Sequence, residues 1–143
     1  MPFALPRSLN ILLADDDEDD RIFFKEALHE VNPNATLNIV ENGVELMHRL
    51  SCRPLPDLLF LDLNMPLKNG YECLFEIHSN SRLRRLPVII LSTSSVAEHI
   101  NDMLKDLACL YIKKPGTFDE LKDHIQFALS LDFSRKNCVE EES

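Results

Sequence analysis

The chain has no surplus of basic charge, no long apolar run, no close pair of cysteines and no internal repeat. Each absence removes a class of function. Lys and Arg number 15 against 24 Asp and Glu, for a net charge of −9. A chain with that balance lacks the basic counter-charge that gripping nucleic-acid phosphates requires. The same deficit argues against an anionic membrane surface. The apolar runs last a few residues, far short of a membrane span. The amino terminus lacks the basic-then-apolar order of a signal peptide. Cys52, Cys73, Cys109 and Cys138 form no CxxC pair, which argues against a zinc site. At 45% hydrophobic the chain can build a core without a disulfide scaffold. Cys52, Cys73 and Cys109 are therefore expected to be small buried apolar residues in a reducing cytoplasm, with Cys138 exposed in a polar tail.

What is present is an alternation of short apolar runs with amphipathic stretches. The length suits one domain. Residues 1–8 read as a leader, 9–131 as the domain and 132–143 as a polar tail. Strands are expected at Leu9–Ala14, Ala35–Val40, Leu58–Leu61, Val88–Leu91 and Cys109–Ile112. The first helix, capped by Asp17, carries Phe24, Ala27 or Leu28, and Val31 at helical spacing. The second follows Asn42 with Val44, Leu46, Met47 and Leu50, and Asn42 with Glu45 has capping-box spacing. A third runs from about Tyr71 to Ser79 with Leu74 and Ile77 inward. A fourth starts at Ser95, and the last, from Thr117, carries Phe118, Leu121, Ile125 and Leu129. Thr117 with Glu120 repeats the capping-box spacing. Such an order implies an α/β fold, a doubly wound parallel sheet with helices on both faces.

Open sheets of this kind bind ligands outside the carboxyl ends of their strands. The residues at those ends are Asp15 and Asp16, Asp62, Ser92, and Lys113 with Lys114. Three carboxylates brought together repel one another unless a cation joins them. A hard divalent ion with oxygen ligands, Mg²⁺ above all, suits them. A lysine and a hydroxyl nearby suit a phosphoryl guest, and a carboxylate can itself attack phosphorus to form an acyl phosphate. Taken singly, each signal has a plainer reading. DDDEDD at 15–20 is a solvated charge run, Asp62 a turn residue, STSS at 92–95 a helix cap and KKPG a strand exit. Tyr111 is a core aromatic with its hydroxyl at the surface. The specificity lies in the conjunction at four strand ends.

The motifs ILLADD (11–16), LDLNMP (61–66) with NG (69–70), VIILS (88–92) and YIKKP (111–115) resemble the receiver domain of two-component response regulators. The resemblance covers roughly residues 8 to 131. It implies a five-stranded (βα)5 flavodoxin-like, CheY-like sheet of strand order 2-1-3-4-5. It implies that Asp62 is the phosphoacceptor. Asp15 and Asp16 would form the pocket for Mg²⁺ (or Mn²⁺), Asp16 directly and Asp15 largely through water. Asn64 would add its backbone carbonyl. Ser92 matches the switch hydroxyl, Lys114 the lysine that precedes proline, and Tyr111 the aromatic that turns with the switch. By the same resemblance the Lys114–Pro115 peptide bond is expected to be cis. Asn64 and Ser94 stand where water attack on the acyl phosphate is tuned. Neither is an acid, so a phosphorylated form that outlasts seconds is expected.

The implied function is a single-domain, cytoplasmic phosphoacceptor rather than an enzyme acting on a separate substrate. It would be loaded by a histidine kinase or phosphotransfer protein and read by a downstream protein. No nucleic-acid or membrane partner is expected, and homodimerisation stays open. The outline also resembles receivers that serve phytochrome-type kinases. Two other readings stand beside this one. A receiver-like platform that is never phosphorylated would usually lack one of these acids, the acceptor or the lysine. A haloacid-dehalogenase-like phosphatase would need an Asp where Asn64 stands.

Overall fold

A computed structural model describes residues 8–92, 107–108 and 110–131. The helix expected from Ser95, the leader, the tail, Cys109, Cys138 and the Ser92 side chain lie outside the described residues. The elements are β1 (Asn10–Ala14), α1 (Glu18–Val31), β2 (Thr36–Val40), α2 (Gly43–Leu50), β3 (Leu58–Leu61), α3 (Gly70–Ser79), β4 (Val88–Ser92), β5 (Leu110–Lys113) and α4 (Phe118–Leu129). The five strands are all parallel and lie in the order β2-β1-β3-β4-β5, as expected.

The period of two along each strand divides the core between the faces of the sheet. Leu12, Ala14, Leu59, Leu61 and Ile90 face one way, onto Leu46 and Leu50 of α2 and Leu74 and Ile77 of α3. Ile11, Leu13, Leu58, Phe60, Ile89, Leu91 and Ile112 face the other way, onto α1 and α4. There Phe24 and Phe60 meet edge to face, with ring centroids 4.8 Å apart. Burying each such side chain is worth about 1.5–3 kcal/mol, and both faces of the sheet contribute. All four residues of β3 are buried, because helices cover both sides of it.

The expected caps are in place, but neither expected capping box is complete; at the last helix the Glu120 carboxylate accepts from the Gly116 N–H rather than from that of Thr117. The Asp17 side chain accepts from the Asp20 N–H, and that of Thr117 from the Glu120 N–H. At α2, Asn42 accepts from Glu45 N–H at 2.8 Å, but the Glu45 carboxylate reaches back to the Glu41 N–H rather than to the cap. The complete capping box is at α3, where Asn69 and Glu72 exchange two 3.0 Å bonds. Val44 points to solvent, on the far side of α2 from Leu46 and Leu50. Cys52 is exposed, contrary to expectation, since it lies in the turn that follows α2 rather than on a packed face. Cys73 is buried on α3, and desolvation pushes its thiol up to about 11.

Candidate functional site

The carboxyl edge of the sheet is built by continuing the backbone ladder past the strands. Asp62 N–H donates to Ala14 O at 3.0 Å and Asp15 N–H to Val40 O at 3.1 Å. Those two bonds set the acids side by side just beyond β1 and β3. Both are buried, at 1% and 5% exposure, and they are the buried charged residues of the described chain. Asp16, Asp15 and Asp62 each present a carboxylate oxygen, all within 4.8 Å of one another, with Asp16 open to solvent.

Asp15 and Asp62 are held in the same way. The Oδ1 of Asp15 accepts from Asp17 N–H at 2.9 Å, and the Oδ1 of Asp62 from Asn64 N–H at 3.2 Å. Each is an Asx turn that spends one oxygen on the loop ahead. Each Oδ2 then faces the Lys114 ammonium, at 2.9 Å from Asp15 and 3.4 Å from Asp62. Lys113 is the last residue of β5 and points outward, so Lys114 is the lysine that enters the site.

Two close approaches seat the loop after β3. A Cβ on Gly70 would stand 2.4 Å from the Asp62 carbonyl oxygen and 2.7 Å from Leu63 Cα. One on Gly43 would stand 1.9 Å from the Lys68 carbonyl oxygen, so α2 packs its first residue against the same loop. The alternation of β3 persists beyond it, with Leu63 and Met65 buried and Asn64 exposed. At the loop tip Lys68 N–H donates to Pro66 O at 2.7 Å across Leu67, whose φ is 68°. That is a γ-turn in the left-handed region, a strained form for a branched side chain.

The electrostatics follow from burial. Desolvation is the largest influence on Asp62 and lifts its pKa to about 6, against the opposing Lys114 charge and the Asn64 N–H. Asp15 is raised for the same first reason. Burial by itself would lower Lys114, but hydrogen bonds to Asp20 and Asp15 outweigh it and hold the ammonium charged. One cation therefore faces an excess of carboxylate. The donor set is all oxygen, partly buried and short of positive charge. That fits a hard divalent ion, with Asp15, Asp16 and Asp62 to hold it.

Of the residues expected here, Asp15, Asp16, Asp62 and Lys114 come together. Ser92 ends β4 opposite Lys113. Tyr111 lies opposite Ile90 and packs on the α2–α3 side of the core, with its hydroxyl buried rather than at the surface. Ser94 lies outside the described residues. The cis bond expected at Lys114–Pro115 is not found; the cis peptide bond among the described residues is Arg53–Pro54. Prolyl isomers differ by only about 0.5–1 kcal/mol, so the dipeptide alone does not set the choice.

The expectation missed Asp20 and Arg21. Asp20 Oδ2 stands 2.7 Å from Lys114 Nζ, nearer than either buried acid. Arg21 donates to the Asp15 carbonyl at 3.2 Å. The signal for Asp20 was helical spacing. Four residues before Phe24, it falls on the inward stripe of α1 rather than among the solvated acids.

The five-stranded parallel sheet, with Asp15, Asp16, Asp62 and Lys114 at its carboxyl edge, has the architecture of a receiver domain, and the chain belongs to the response regulator receiver domain family of two-component signalling, whose model matches residues 11–126. Sensor protein EvgS of Escherichia coli K12 is 32% identical over 127 residues, which cover 87% of this chain and 10% of that much longer protein. Among solved structures, the phosphorylated cyanobacterial phytochrome response regulator RcpA is similar at 31% identity and a TM-score of 0.75, over 85% of this chain and 91% of that one. The Mn²⁺-bound form of response regulator Rcp1 is similar at 30% identity and a TM-score of 0.75, over 85% and 92%. Among the described residues no helix is long and apolar enough to cross a membrane.

Proposed function

We propose that Asp62 accepts a phosphoryl group from a phosphohistidine on a histidine kinase or phosphotransfer protein. A carboxylate oxygen of Asp62 forms the new P–O bond. The electron pair of the breaking P–N bond stays with the imidazole, which takes up a proton. Lys114 stands ready to pair with a phosphoryl oxygen. Asp15, Asp16, Asp62 and the Asn64 carbonyl would hold Mg²⁺ or Mn²⁺. When bound, that ion supplies positive charge against the equatorial phosphoryl oxygens. Ser92 then turns to the phosphoryl group, Tyr111 shifts with it, and the surface around β5 and α4 changes population toward a form that a downstream protein reads. A cytoplasmic location belongs to the same reading.

The observation that carries this reading is Lys114 Nζ bridging Asp15 and Asp62. A structural ion pair needs one carboxylate, and a second buried one beside it is costly without a function. Asn64 weighs against the phosphatase. Its side chain is exposed, and it is the backbone N–H of Asn64 that donates to Asp62. The test is incubation with acetyl phosphate and Mg²⁺ followed by intact mass. One added phosphoryl group, absent without the metal, is expected. An unmodified protein would favour the binding platform, and steady turnover of phosphate esters the phosphatase.

A further inference from the structure

Asp20 has no place in the chemistry above, yet it makes the shortest contact to the lysine that chemistry needs. Lys114 Nζ lies 2.7 Å from Asp20 Oδ2, 2.9 Å from Asp15 Oδ2 and 3.4 Å from Asp62 Oδ2. The order of these distances follows the geometry of α1. Asp17 caps the helix and takes the Asp20 N–H, which fixes Asp20 in the first turn. Side chains on a helix lean toward its amino terminus, and here that direction leads over the carboxyl edge of the sheet. Asp20 is only partly exposed, and it shares its stripe with the buried Phe24.

An ammonium has three protons, and three acids already take them. A phosphoryl group on Asp62 asks for the same cation. Asp15 and Asp62 are fixed by their Asx turns and by burial, so they cannot withdraw. Asp20 sits at the rim, its side chain 38% exposed, and can trade the lysine for water at small cost. It is the partner that can let go.

We propose that Asp20 is a positioning residue that draws Lys114 away from Asp62 in the unphosphorylated protein and competes with the phosphoryl group for it. This inference rests on the phosphoacceptor reading of Asp62. Asp20 thereby sets how readily the activated form is reached. With Asp20 present, activation includes breaking that ion pair; without it, one proton of the Lys114 ammonium is already open to the phosphoryl oxygens, while Asp15 and Asp62 still hold the others.

Beryllofluoride with Mg²⁺, a non-covalent stand-in for the phosphoryl group, provides the test. Asp20→Asn should bind it about two- to fivefold more tightly than wild type, the worth of one partly exposed charge pair. Asp19→Asn removes the same charge from the same helical turn at an exposed position and should bind like wild type. Affinity for Asp20→Asn equal to or weaker than that of Asp19→Asn would overturn the proposal. A second readout needs no metal or phosphoryl group. In metal-free buffer, the denaturation midpoints of Asp20→Asn, Lys114→Ala and the double variant should be non-additive, and additivity would likewise overturn it. A wild type that takes up no beryllofluoride would overturn the phosphoacceptor reading, and this inference with it.

Discussion

Lys114 and Asp62 are 52 positions apart in the chain, yet Lys114 Nζ stands 3.4 Å from Asp62 Oδ2 in a site where both side chains are at most 10% exposed. The sheet brings them together: β3 and β5 flank β4 in parallel, so their carboxyl ends open at one edge. The site sets one buried cation against two buried anions, so removing the cation leaves both anions uncompensated.

Lys114→Ala is accordingly expected to lower stability by about 2–4 kcal/mol near neutral pH in metal-free buffer. Mg²⁺ should restore part of that loss, because another cation can satisfy Asp15 and Asp62. Urea denaturation with and without Mg²⁺ measures both effects. A loss that Mg²⁺ leaves unchanged would place the lysine's contribution in packing rather than charge.

Asp62 makes stability fall as pH rises. Its pKa is about 6 in the fold against 3.8 ordinarily, so between those values the native state binds more protons than the unfolded chain. The unfolding free energy therefore declines with rising pH across that window. Above it the whole penalty is present. Asp62→Asn is expected to flatten this slope and to stabilise the metal-free protein near neutral pH by about 2–3 kcal/mol. A pH series of denaturation midpoints for both proteins tests this. A variant less stable than wild type at neutral pH would contradict it.

Gly43 and Gly70 are expected to tolerate no side chain. A Cβ at either meets backbone that cannot step aside, at 1.9 Å from Lys68 O and 2.4 Å from Asp62 O. Gly43→Ala and Gly70→Ala should each cost about 2–3 kcal/mol. Gly70→Ala should also displace Asp62, which would appear as weakened Mg²⁺ binding. Gly116 has nothing within 4 Å of such a Cβ and no positive φ. Gly116→Ala is expected to be neutral or to stabilise by up to about 1 kcal/mol. Equal losses at all three positions would show that close approach is not the cause.

The legible part of the molecule was the part written in period. Runs such as NILLA, LLFL and VIILS announce buried parallel strands, and acids or lysines directly after them fall at one edge by topology. Period and topology place Asp15, Asp62 and the pair Lys113 and Lys114 there; the resemblance to receiver domains picks Lys114 of the two, and the structure sets Lys114 against both acids. Local chemistry was harder to read. Asp20 is hidden inside an acidic run of which Asp16, Asp17, Glu18 and Asp19 do face solvent. The glycines that seat the loop after β3 carry no signal of their own, because the backbone pressing on Gly43 comes from Lys68, far along the chain. Cys52 looked like a core residue by type, but a turn decides its exposure. The full capping box appeared at Asn69–Glu72 instead of Asn42–Glu45, a choice set by where each Glu side chain can reach.

The central claim is that Asp62 is the atom-level acceptor, and reductive trapping tests it most directly. The protein would be treated with acetyl phosphate and Mg²⁺ and then with borohydride, which reduces an aspartyl phosphate to homoserine. Peptide mass mapping should find homoserine at position 62 and nowhere else, and none in Asp62→Asn. Homoserine at Asp15, Asp16 or Asp20 instead, or no homoserine at all, would contradict the account.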